Sequence, residues 1–340
     1  MSLSPAFARP LTSVAVTLTG LLLITFVIGR VIPVDPVLAV VGDHAPPAVY
    51  EATRQKMGLD QPLWKQFTLY IAEIAHGNLG TSFVTGRPVL EDLERVFPAT
   101  VELATIAVLF GVLAGVPIGV VAASHHGRWQ DHLLRVVGIV GYSVPVFWLG
   151  LIALLVFYAK LGWSAGPGRL GIAYDGMIEP ITGVILIDSL LRGELAIFRD
   201  ALAHVLLPAV VLGYFSMAYI SRMTRSFMLD QLQQEYITTA RVKGMSERRV
   251  VWTHAFGNIR VQLITVIALT YASLLEGAVL TETVFAWPGI GQYITSSLLS
   301  VDMNAVLGGT VVVGLVFIML NLVADTIYGL VDVRARRLQA

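Results

Sequence analysis

The chain has 340 residues, of which 56% are apolar and only 14% charged, and its 23 basic and 23 acidic side chains cancel. A mean hydropathy of +0.74 places it in the membrane class, and zero net charge excludes a bulk attraction to nucleic acid or to acidic partners. The lack of cysteine excludes a disulfide scaffold, thiolate metal sites and a cysteine nucleophile.

A helix needs about 20 mostly apolar residues, at about 1.5 Å each, to cross roughly 30 Å of hydrocarbon. Six stretches meet that length: 11–29, 100–123, 136–158, 203–220, 261–280 and 306–330, the fourth interrupted by Pro208 and Gly213. Continuous runs of this kind suit a helical bundle, because barrel strands alternate every second residue. The first run follows Arg9, has a core longer than a secretory h-region, and lacks a small-x-small cleavage site before Val31. It therefore reads as a retained anchor.

Between the first two runs lies a long polar segment. Pro33, Pro36, Pro46, Pro47 and Pro62 make its start irregular, and Leu63, Phe67, Tyr70, Ile71 and Ile74 recur at helical spacing over 62–76. In the second run Gly111, Gly115 and Gly119 fall on one face, where backbones approach closely in lipid, and Pro117 should kink the helix. The segments 160–202 and 281–305 are the other long connections; the latter holds Ala286-Trp-Pro-Gly-Ile-Gly291, a run that cannot continue a helix.

Placement of basic residues sets the orientation. With the N-terminus inside, short cytoplasmic pieces hold Arg9, Arg128, Arg135, Arg222, Arg225, Arg241, Lys243, Arg248, Arg249, Arg260, Arg334, Arg336 and Arg337. The remaining basic residues are diluted over longer outside loops.

The most specific local feature is the polar run from 228 to 262. Asp230 followed by Gln233 resembles a capping box. A helix to Lys243 should stop at Gly244 in a left-handed conformation, and Ser246 with Glu247 should start a second one. Small Ala240 and Gly244 offer a flat face for docking.

Few constellations carry chemistry. Gly166-Pro-Gly-Arg-Leu-Gly171 matches G-x-G-x-x-G but follows no strand, so a dinucleotide reading fails. None of the four lysines (Lys56, Lys65, Lys160 and Lys243) follows a glycine, which excludes a P-loop. His125, His126, His132 and Asp131 cluster in a short loop that reads as solvated, since no second cluster completes a metal shell. Charge in lipid is costly and faces a bundle interior or pathway, which singles out Glu102, Glu276, Glu282 and Asp325; of these Glu276 lies deepest. Asn321, Asp325 and Tyr328 share a face suited to interhelical hydrogen bonds.

The run Glu235-Tyr-Ile-Thr-Thr-Ala-Arg-Val-Lys-Gly244 resembles the cytoplasmic signature loop of permease subunits in binding-protein-dependent ABC importers, and more narrowly the B-type permeases of the dipeptide/oligopeptide family. The likeness extends to Met57-Gly-Leu-Asp-Gln-Pro62, His76-Gly-Asn-Leu-Gly80, Phe97-Pro-Ala-Thr-Val-Glu-Leu103, Ser143-Val-Pro-Val-Phe-Trp148, Thr281-Glu-Thr-Val-Phe-Ala-Trp-Pro-Gly-Ile-Gly291 and Asn321-Leu-Val-Ala-Asp325. Such permeases usually carry a basic residue where Gly257 stands, a proline at Gln262 and a small residue at Glu276. The last departure makes Glu276 a candidate for recognising a cationic or amine-bearing solute.

The resemblance implies an all-α membrane protein with the type I ABC importer permease fold. Its segments would be 1–30 (tail and first transmembrane helix), 31–99 (periplasmic), 100–330 (a five-helix core with a coupling hairpin at 228–262) and 331–340 (tail), with both termini cytoplasmic and the chain in the inner membrane. It implies ATPase coupling through Glu235, Tyr236, Ala240, Arg241, Lys243, Gly244, His254 and Asn258, and a translocation pathway past Glu276, Ser143, Pro145 and Asp325. It implies no catalysis and no cofactor or metal in this chain; ATP and Mg would be bound by two partner ATPase subunits. A second, similar permease and a periplasmic solute-binding protein complete the partners, with the bilayer and no nucleic acid. The implied cargo is a di- or oligopeptide, with nickel chelates, glutathione or another small solute as alternatives. A stand-alone secondary transporter or channel is the reading of a different class, and a membrane-embedded enzyme a third.

Overall fold

The computed structural model describes residues 5–31, 36–42, 44–56 and 58–331; within them the side chains of Glu276 and Asp325 lie outside what is described. The described chain is helical, with one isolated bridge between Thr81 and Pro88. In order the helices are α1 (Pro5–Val31), α2 (Pro36–Val41), α3 (Pro47–Lys56), α4 (Leu63–Ala75), α5 (Val89–Ser124), α6 (Trp129–Ser143), α7 (Val146–Ala153, continued by π-helical turns over Leu154–Lys160), α8 (Ile185–Leu191) and α9 (Leu195–Leu232). Then come α10 (Glu235–Val242), α11 (Glu247–Arg249, joined by π-helical turns over Val250–Ala255 to α12, Phe256–Gly277), α13 (Val279–Val284), α14 (Ile290–Leu299) and α15 (Met303–Val331).

By length and composition, four helices among the described residues suffice to cross a membrane: Val89–Ser124, Leu195–Leu232, Glu247–Leu275 and Met303–Val323. The sequence suggests one continuous helix over 136–158. Instead α6 and α7 form a pair bent by 95°, which makes a fifth span only if counted as one. The cause is local: a residue before proline is pushed off the helical region, and Val144 is extended, with φ −88° and ψ 128°, ahead of Pro145. Val14–Arg30 is a shorter apolar helix.

The chain divides into two compact units. The first holds the residues up to Phe97 together with Tyr293–Ile318. Here the amphipathic α4 packs on α1 as its spacing suggests: Phe67 lies edge-on to Phe26 at 5.2 Å, and the Tyr70 hydroxyl meets Thr25 Oγ1 at 3.0 Å. Asp302 accepts from Ser82 Oγ at 2.6 Å and from the Val84 amide at 3.2 Å.

The second unit runs from Pro98 to Gln292, with the residues after Ile318. Its core is built largely of small side chains: Ala99, Ala104, Ala107, Ala209 and Ala278 pack with Leu103, Leu212, Leu274 and Trp287. Lipid supplies no hydrophobic drive between helices, so close backbone approach has to hold them. Gly115 and Gly119 show this, since a Cβ added there would lie 2.8 Å from the Met217 carbonyl and 2.6 Å from the Ser221 carbonyl of α9. Pro208 and Gly213 do not interrupt α9, which packs against α6, α8 and α12 and runs unbroken for 38 residues, about 57 Å. That exceeds the roughly 30 Å of hydrocarbon in a bilayer, so a span of this length extends past it.

Candidate functional site

At the end of α9 the chain reverses into the hairpin. The capping box expected at Asp230 and Gln233 does not form: Asp230 lies within α9, Gln233 ends that helix, and Gln234 precedes α10 without a side-chain cap. Tertiary packing of Met228 extends α9 past the local signal. α10 ends at Val242, and Gly244 takes φ +76°, the left-handed turn that glycine permits. Ser246 stands before α11 but makes no capping bond. Glu247 instead pairs with Arg241 across the turn, Nη2 to Oε1 at 2.6 Å and Nε to Oε2 at 3.1 Å. The second hairpin helix is not separate, because α11 continues through its π-helical turns into α12.

The two faces of α10 differ sharply. Ile237 and Ala240 are buried against Val120, Ala123, Met228, Val250, Val251, Ala255 and Ile259. Ala240, expected on an outward docking face, therefore seats the hairpin on its own chain. Glu235, Tyr236, Arg241, Lys243 and Gly244 are exposed, as is Asn258, while His254 is half-buried in the π-helical turns. The sequence reading missed Val242, which is 83% exposed at the outer end of α10. An apolar side chain so placed on a polar helix was a legible signal.

Near the same end, Asp131 at the start of α6 is fully buried. It accepts from Arg225 Nε at 2.7 Å and Nη2 at 2.9 Å, and from the Gly127 amide at 3.0 Å. Arg135 and His126 lie at 3.6 Å and 3.4 Å. Arginines thus surround the carboxylate, and no metal-holding group of three His, Asp or Glu occurs among the described residues.

At the other end of the unit, two buried carboxylates pin loops. Glu282 accepts from Thr100 Oγ1 at 2.6 Å and the Gln292 amide at 3.1 Å, and Trp287 Nε1 donates to the Ala99 carbonyl at 2.8 Å. Burial pushes the Glu282 carboxyl above its ordinary value, against the hydrogen bonds that lower it. Glu102 binds Arg169 at 2.6 Å and the Leu186 amide at 2.9 Å, and Arg169 also donates to the Gly183 carbonyl at 2.7 Å. The G-x-G-x-x-G run is thereby committed to its own chain. Of the expected pathway residues, Ser143 and Pro145 are exposed at the α6–α7 break. Glu276 and Asp325 fall among the undescribed side chains.

Comparison with known proteins bears on this arrangement. Residues 115–337 match the family model described as binding-protein-dependent transport system inner membrane component, and residues 6–104 match the corresponding N-terminal model. The chain is 45% identical over 321 residues to the probable D,D-dipeptide transport system permease protein DdpB of Escherichia coli (strain K12), covering 94% of this chain and 93% of that protein. It is 43% identical over 330 residues to the di/tripeptide transport system permease protein DppB of Pseudomonas aeruginosa (strain UCBPP-PA14), covering 97% and 98%. Among solved structures, an inward-facing MetNI methionine ABC transporter matches with a TM-score of 0.52 at 18% identity, over 71% of this chain and 96% of that one, a likeness of fold.

Proposed function

This chain belongs to the family of binding-protein-dependent transport system inner membrane components, and we propose that it is the membrane-spanning permease subunit of an ATP-driven importer of dipeptides or other short peptides. The hairpin geometry supports this reading best. α10 presents a polar outer face, while Ile237 and Ala240 seat it between the end of α9 and the start of the helix that becomes α12. A push on α10 from outside the bilayer is thereby delivered to two spanning helices at once.

In this reading the chain performs no catalysis and holds no cofactor. Two ATPase subunits bind ATP and Mg and dock on Glu235, Tyr236, Arg241, Val242, Lys243 and Gly244, with His254 and Asn258 at the margin. Ala240 acts from inside, by holding α10 in place. A second, similar permease completes the pore, and a solute-binding protein delivers the peptide from the outside. The chain crosses the inner membrane six times with both termini cytoplasmic, α6 and α7 making one bent span and α1 the first. Ser143, Pro145, Glu276 and Asp325 face the pathway.

Reconstitution tests the reading. Proteoliposomes holding the chain with its second permease, both ATPases and the binding protein should take up labelled dialanine only when ATP is present. Uptake by the chain alone, driven by an ion gradient, would assign it to stand-alone transporters instead.

A further inference from the structure

A cavity of about 290 Å³ opens within the second unit between α5, α6 and α9. It is roughly twice the ~150 Å³ cavity that accommodates benzene in a protein core. Ile118, Leu134 and Ile139 line it, and its charged groups are Arg135, Arg222 and Arg225, with no carboxylate in the lining. Arg225 is committed to the buried Asp131 through two hydrogen bonds, while Arg135, 44% exposed, lies 3.6 Å from the same carboxylate and meets His132 Nδ1 at 2.6 Å. Trp129, 70% exposed at the start of α6, lies about 9 Å along the helix from Arg135. An exposed tryptophan beside basic residues at the end of a spanning helix marks the membrane–water interface.

We propose that this cavity is a binding site for an anionic phospholipid, its phosphate on Arg135 and Arg222 and an acyl chain along Ile118, Leu134 and Ile139. Basic pockets between transmembrane helices select lipids of this class. A free inorganic anion would satisfy the guanidinium groups but gain nothing from the apolar walls. A peptide would bring an ammonium group for which the lining offers no carboxylate, only the Ser143 and Ser221 hydroxyls.

Native mass spectrometry of the full purified chain with added phosphatidylglycerol or phosphatidylcholine tests the site. The wild type should retain phosphatidylglycerol and not phosphatidylcholine. Arg135→Gln should lower retention about fivefold and Arg135→Lys should preserve it. Arg225 keeps Asp131 paired in both variants. Gly138→Leu should abolish retention by filling the cavity; a Cβ there has Ser221 Oγ as its nearest neighbour at 3.9 Å, so the backbone need not move. Size-exclusion profiles matching wild type verify folding. Equal retention of both lipids, or retention unchanged in Arg135→Gln and Gly138→Leu, would overturn the proposal. So would release of the lipid by millimolar inorganic phosphate, which assigns the arginines to a free anion, or by millimolar dialanine, which assigns the cavity to the solute.

Discussion

Arg241 and Glu247 clasp the Gly244 turn through two hydrogen bonds, at 2.6 Å and 3.1 Å, and so close the hairpin on its outer side. Both side chains are largely exposed, at 44% and 60%, and exposed pairs contribute about 1 kcal/mol at most. Glu247→Gln should therefore leave the thermal unfolding of the purified chain nearly unchanged. Loss of the folded protein would show that the clasp, rather than Ile237 and its neighbours, holds the hairpin.

The two faces of α10 should respond differently to substitution. Ala240→Trp forces bulk into a buried seat, and overpacking costs about 1–3 kcal/mol. It should lower the melting temperature of the chain alone. Val242→Asp changes a side chain 83% exposed, so the chain alone should melt as wild type while co-purification of the ATPase subunits falls. The opposite pattern would place the docking face on the wrong side of the helix.

Much of this was legible in the sequence. Four of the six apolar runs, 100–123, 203–220, 261–280 and 306–330, fall on helices long and apolar enough to cross a membrane, and Gly244 located the hairpin turn. Local capping signals at Asp230 and Ser246 misled, because burial of Met228 and continuity of α11 into α12 outweigh a cap worth about 1 kcal/mol. The Asp131–Arg225 pair spans 94 residues, and no periodic pattern reports so distant a partner. The α6–α7 break was written in Val144-Pro145, but the apolar run around it masks the signal.

Glu282 should make stability depend on pH. Burial raises its carboxyl above the ordinary value, so the folded state holds its proton to higher pH than the unfolded state does. The stability that Glu282 contributes is then fully present below the ordinary carboxylate value and is lost as pH rises through the raised one. Glu282→Gln, whose carbonyl can keep the Gln292 amide while its NH₂ turns to Thr100 Oγ1, should be flat across that window. Thermal melts of both proteins from pH 4 upward check this (about 4 being where carboxylates begin to ionise). An unchanged slope in the variant would assign the pH dependence to other groups.

The contact between α5 and α9 leaves no room at Gly119, whose added Cβ would sit 2.6 Å from the Ser221 carbonyl. Gly119→Val should separate the helices and lower stability in detergent by at least about 1–3 kcal/mol. Gly127→Ala, where an added Cβ meets nothing within 4 Å but φ is +75°, should cost about 1 kcal/mol, the strain of the left-handed turn alone. Equal losses in the two variants would remove the close-packing argument.

The central claim is that α10 transmits the ATPase stroke to α9 and α12, and the most direct measurement is the number of peptides imported per ATP hydrolysed. A β-branched residue at φ +76° is a steric outlier, so Gly244→Val displaces the turn at the end of α10. In proteoliposomes holding the assembled importer, Gly244→Val should insert normally while dialanine uptake per ATP falls to background. A wild-type ratio of uptake to hydrolysis in that variant would contradict the account.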